Sequence, residues 1–118
     1  MDMKYVVWAG MAIVSLVMLM GGSAKLAGQE MALTSFSQLG LPSWFALFIA
    51  VSEIAGAFGL WIRRTSFWAA LGIAIIMAGA IYYHLSFPPA AAGVPALVVL
   101  LICGYIISRR GTGVIGPA

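Results

Sequence analysis

The chain reads as an all-α integral membrane protein, a transmembrane four-helix bundle, and three observations carry that reading. Apolar residues fill 64% of its 118 positions and charged residues only 8%, whereas soluble domains carry near a quarter charged. Four stretches approach or exceed the roughly 20 residues that cross a hydrocarbon core, at about 6–24, 43–62, 65–84 and 89–108. The few basic residues sit at the ends of those stretches and form no patch, which argues against a nucleic-acid-binding surface. Four spans use nearly the whole chain, so one transmembrane domain over 1–118 is expected, without room for a soluble catalytic module.

The first span is expected to end at Gly21-Gly22. With Lys4 ahead of it and Gly22-Ser23-Ala24 behind, it has the look of a cleavable leader, but three more spans follow and it reads as retained. Between the first two spans, Leu33, Phe36 and Leu39 recur every third residue among polar neighbours. That pattern predicts a short amphipathic helix lying at the outer surface, stopped by Gly40 and Pro42. Ser43 is placed to cap the second span, and Thr65 or Ser66 the third. Pro88-Pro89 break the chain, with Pro89 suited to a first helical turn, and Pro95 is expected to kink or delay the last helix. The stretch 111–118 reads as a flexible tail.

Charge sets the expected topology. Lys4, Arg63, Arg64, Arg109 and Arg110 share one side and only Lys25 lies on the other, which places both termini in the cytoplasm. The setting this implies is a multi-pass protein of a bacterial plasma membrane. Cys103 has no second cysteine to pair with and reads as a small apolar filler of the last span.

Glu53 is the most informative residue. It is a lone carboxylate within an apolar span, and a charge at bilayer depth costs several kcal/mol unless it is protonated, paired or wet. Projected at about 100° per residue, its side of the helix carries Ala46, Ile49, Ala50, Gly56, Ala57 and Leu60. The opposite side carries Trp44, Phe48, Val51, Phe58 and Ile62. Small residues mark the packed face of a membrane helix, so Glu53 is expected to face the interior. Counting about 14 Å from Ile62 puts it near the midplane, with Ser15 of the first span its expected polar neighbour. Lys25, Glu30 and His84 fall around an outer mouth, with Tyr82 and Tyr83 just beneath His84, and Met77 shares a face with His84. A plainer role stands beside each: Glu53 as a neutral acid gluing helices, Lys25 as a snorkelling anchor, His84 as an interfacial polar residue. Trp8, Trp44, Trp61 and Trp68 read as interface belts, and the methionines as packing.

One histidine and one cysteine cannot close a metal site in a single chain. Neither a nucleophile motif nor a phosphate loop is present, so catalysis by this chain alone is not expected.

In order, Gly22-Ser23-Ala24-Lys25-Leu26, the run Phe36 to Pro42, the run Glu53 to Leu60, Arg64, Ala80 and His84 make a pattern that resembles the DoxX-like family. The resemblance covers about 21–110. It implies a small four-helix membrane fold in which the family's lysine, glutamate and histidine positions fall on Lys25, Glu53 and His84. It also implies an accessory style of function: relatives include a subunit of a thiosulfate:quinone oxidoreductase, a membrane partner of redox-defence enzymes, and membrane-protein chaperones. The leading expectation is a protein that holds a quinone or lipid in an outward-opening pocket and supports a membrane redox or stress-defence system. That pocket would use Glu53, Lys25, His84, Ser15, Tyr83 and Met77. A partner redox protein and homo-oligomerisation are compatible with this. An assembly chaperone is the second reading. A small multidrug exporter ranks last, because those carry the glutamate in the first span and this chain's charge bias is firm.

Overall fold

The computed structural model describes residues 3–28, 30–62, 64–87 and 90–110. The expected breaks at Pro88 and Pro89 and the tail 111–118 lie outside them. Five α-helices and no strand occur among the described residues: α1 (Met3–Leu26), α2 (Glu30–Gln38), α3 (Ser43–Gly59), α4 (Ser66–Ser86) and α5 (Val94–Arg110). A 3₁₀ turn, Ala90–Gly93, precedes α5. The four long helices close a ring in which α1 packs on α3, α3 on α4, α4 on α5 and α5 on α1.

Each long helix turns a narrow stripe inward at alternating spacings of three and four residues. The stripes are Val7, Met11, Val14 and Met18 on α1; Ala46, Ala50, Glu53 and Ala57 on α3; Ser66, Ala70, Ile73 and Met77 on α4; Ala96, Val99, Cys103 and Ile106 on α5. That period keeps a seam facing its partner along a bundle. The expected faces of α3 hold: Trp44, Phe48, Val51 and Phe58, with Ile62 just beyond the helix, point outward, while Ala46, Ala50, Glu53 and Ala57 are buried. Large apolar side chains also cover the outside of the other helices, among them Leu16, Met20, Trp68, Ile75, Leu97 and Leu101. Such a surface is stable against lipid and not against water.

Among the described residues three helices are long and apolar enough to cross a membrane, and α3, at 17 residues, is shorter. It rises about 26 Å against a hydrocarbon core of about 30 Å. Its apolar path continues past Gly59 in tighter turns, with Trp61 N–H donating to Phe58 and Ile62 N–H to Gly59.

Several boundaries differ from the sequence reading. α1 does not stop at Gly21-Gly22 but runs on to Leu26. The glycines act there as a packing notch: a methyl group on Gly22 would lie 3.0 Å from the Ala50 carbonyl and 2.7 Å from Ile54. Ser43 does not cap α3; Pro42 takes that position and no side chain caps the end. Thr65 does take the position before α4, but its hydroxyl donates backward to Gly59 and Ile62. Pro95 delays the last helix as expected, since regular α5 begins at Val94 after the 3₁₀ turn. The short amphipathic helix is α2, ended by Gly40 at φ 75°. There the Leu41 N–H reaches Phe36 and the Gly40 N–H reaches Ser37, the paired bonds of a Schellman cap.

Candidate functional site

α3 leans between its neighbours. Near the α3–α4 turn it lies close to α4, where a methyl on Gly59 would touch Ala69 and one on Gly56 would touch Ile73. At its other half it lies close to α1 through Gly22. The space left between α3 and α4 beyond Gly56 is a cavity of about 390 Å³, roofed by α2. A chamber of that size is typical of small-molecule sites, which are mostly apolar with a few converging polar groups.

On its inner wall, Lys25 Nζ donates to Glu53 Oε1 at 2.8 Å. Glu53 comes from the middle of α3 and Lys25 from the last turn of α1, a position that exists only because α1 continues past its glycine pair. Gly21 lies beside both groups, and a methyl on it would rest 3.6 Å from Nζ and from Oε2. The two side chains are 14% and 4% exposed, so the carboxylate is buried and the ammonium partly so. Lys25 therefore does not snorkel outward, and Glu53 is not solitary.

The remaining walls are apolar and aromatic. α2 supplies Phe36 and Leu39, α3 supplies Phe45 and Ile49, and α4 supplies Ile76, Met77 and Ala80 below Tyr83 and His84. Phe36 and Phe45 face each other at 6.2 Å. Tyr83 stacks on Phe87 and meets the His84 ring edge-on at 5.0 Å, while its hydroxyl donates to Gln38 of α2. His84 is backed by Gly93, whose missing side chain leaves room for the ring.

Of the residues expected at the site, the structure brings Glu53, Lys25, His84, Tyr83 and Met77 to one cavity. It places Ser15 elsewhere. The Ser15 hydroxyl donates to the Ala57 carbonyl at 3.1 Å and accepts from Trp61 Nε1 at 2.9 Å, one turn nearer the α3–α4 loop than Glu53. The depth count was taken from Ile62, but α3 ends at Gly59 and α1 runs on to Leu26, so Gly21 and not Ser15 lies level with Glu53. Glu30 and Tyr82 are exposed and do not line the cavity. Phe36, Leu39, Phe45 and Ile49 were not expected as wall residues. Phe36 and Leu39 were on the apolar row of α2 and Ile49 on the Glu53 side of α3, so their faces were readable but not what they enclose.

A second cavity of about 650 Å³ lies under the opposite flank of α2, lined by Leu26, Leu33, Phe36, Leu41, Ala46 and Leu47 among others. Lys25 borders both.

Among the described residues, the all-helical fold, the apolar exterior, the three membrane-length helices and the largely shielded ion pair beside a cavity fit a multi-pass membrane protein. The sequence matches the model of the DoxX-like family over residues 9–105, and the chain belongs to that family. No curated protein and no solved structure matches it.

Proposed function

We propose that this DoxX-like protein holds an amphipathic small molecule, a quinone or a lipid, in the cavity between α2, α3 and α4, and supports a partner redox system of the membrane. The observation that carries this is the Lys25–Glu53 pair on the wall of a mostly apolar cavity. Burying an ion pair seldom stabilises a fold better than apolar packing would, so a pair exposed to a cavity is better explained by what it contacts. A quinone carbonyl or lipid ester needs a donor and its body an apolar slot; the Lys25 ammonium supplies the first, and Phe36, Phe45 and Ile76 the second. In this reading α3 and its apolar continuation through Ile62 form a fourth span, both termini are cytoplasmic, and the α2 side faces outward from a bacterial plasma membrane.

The test is mass spectrometry of lipid extracts from the detergent-purified protein, compared with an Ala80→Trp variant whose indole fills the cavity. A quinone or lipid enriched with the wild-type protein and depleted in the variant is expected. Equal, non-selective lipid in both would overturn the reading.

A further inference from the structure

The Lys25–Glu53 pair carries no net charge, and its lysine stands at the border of two cavities. Lys25, Phe36 and Leu41 line both the 390 Å³ cavity and the 650 Å³ cavity beneath α2. The ammonium has three protons to give, and Glu53 Oε1 takes one. Among the described residues the pair shares this one bond, and Nζ and Glu53 Oε2 make no other. The wall therefore offers donors and an acceptor side by side, each able to face a ligand.

We infer that the site selects an uncharged polar head on a long apolar chain, with the head against Lys25 and Glu53 and the chain in the second cavity. This rests on the reading that the cavity holds an amphipath and narrows which one. An anionic head drawn to Lys25 comes within a few ångströms of the Glu53 carboxylate, and a cationic head drawn to Glu53 meets Lys25. Attraction and repulsion nearly cancel in either case, while the loss of the head's hydration against apolar walls remains. A hydroxyl or carbonyl head loses far less hydration and can bond to both members of the pair. Leu26, Leu33 and Leu47 line the second cavity, a half-open groove whose apolar floor suits a hydrocarbon chain. Monoacylglycerols and quinones share this head chemistry.

The experiment uses the full chain in phosphatidylcholine nanodiscs and native mass spectrometry. Monoolein, oleate and oleylamine, which share one chain length and differ in head charge, compete at equal concentration, with decylubiquinone as a separate arm. An uncharged probe should be retained over both charged ones by roughly tenfold or more. Monoolein ahead of decylubiquinone identifies a glyceride-type head and the reverse a ring head; either supports the inference. Glu53→Gln should turn the preference toward oleate and Lys25→Met toward oleylamine. The wild-type competition decides the matter even if a variant fails to fold. Oleate or oleylamine bound as well as monoolein would sink the neutral-head inference and leave the cavity reading standing. No retention of any probe would sink both.

Discussion

Tyr83 on α4 and Gln38 at the end of α2 are joined by a hydrogen bond that ties the roof of the cavity to its wall. α2 is the only described helix set off by positive-φ glycines at both ends, Gly28 at 74° and Gly40 at 75°. Backbone in that region suits glycine and few other residues; Gly28 closes α1 with its N–H on the Lys25 carbonyl, and Gly40 ends the nine-residue cover. The Tyr83 ring also stacks on Phe87 and borders His84, which makes it the point where roof, wall and mouth meet.

Tyr83→Phe removes this tether and keeps the ring. The expected outcome is faster amide hydrogen exchange over 30–38, with exchange in α3 and α4 unchanged, and a loss of about 1 kcal/mol or less in overall stability. Unaltered exchange in α2 would show that packing alone holds the cover shut.

The ion pair predicts strong coupling between two single changes. Lys25→Met leaves a buried carboxylate without its cation, and Glu53→Gln leaves a partly buried ammonium without its anion. Each is expected to destabilise, by no more than the roughly 3–5 kcal/mol that breaking a fully buried pair from one side costs. The combined Lys25→Met/Glu53→Gln protein should be markedly more stable than the sum of the two losses, since neither orphaned charge remains. Thermal unfolding of the four proteins in one detergent measures this; additive losses would mean the two side chains do not depend on each other.

Much of this arrangement was legible in the sequence because membrane helices obey a strong local rule. The alternation of Ala46, Ala50 and Ala57 with Trp44, Phe48 and Phe58 orients α3, and that orientation alone buries Glu53. The partner of Glu53 was not legible. Gly21-Gly22 read as a helix end, as it often would in water, whereas here the pair lets two backbones approach and carries α1 on to Lys25. Helix offsets belong to tertiary packing, so counting depth from Ile62 selected Ser15, which instead bonds to Ala57 and Trp61. The enclosing aromatics, Phe36 and Phe45, lie on two elements whose meeting no local pattern specifies.

Ser15 supplies a prediction that separates packing from binding. Ser15→Ala removes a donor to the Ala57 carbonyl and the acceptor of Trp61 Nε1. Stability should fall by about 1 kcal/mol, and the tryptophan emission difference spectrum should report a changed Trp61. Because Ser15 does not line the cavity, the molecule retained by the purified protein should be unaffected. Loss of that molecule in Ser15→Ala would return Ser15 to the site.

Gly22 gives the sharpest steric prediction. A methyl placed on it would lie 2.7 Å from Ile54 Cγ1 and 3.0 Å from the Ala50 carbonyl oxygen. The isoleucine can rotate away, but the carbonyl belongs to the α3 backbone and cannot move without shifting the helix. Gly22→Ala should therefore push α1 from α3 and cost about 1–3 kcal/mol, the range for overpacking a well-fitted contact. The same displacement would strain the Lys25–Glu53 bond one turn further along, so retention of the cavity's ligand should drop as well. Gly72→Ala is the matched control: nothing lies within 4 Å of a methyl there, and its stability should be unchanged or slightly raised. Thermal unfolding and ligand retention measured on both variants decide the matter, and equal behaviour of the two would mean that α1 and α3 do not meet at Gly22.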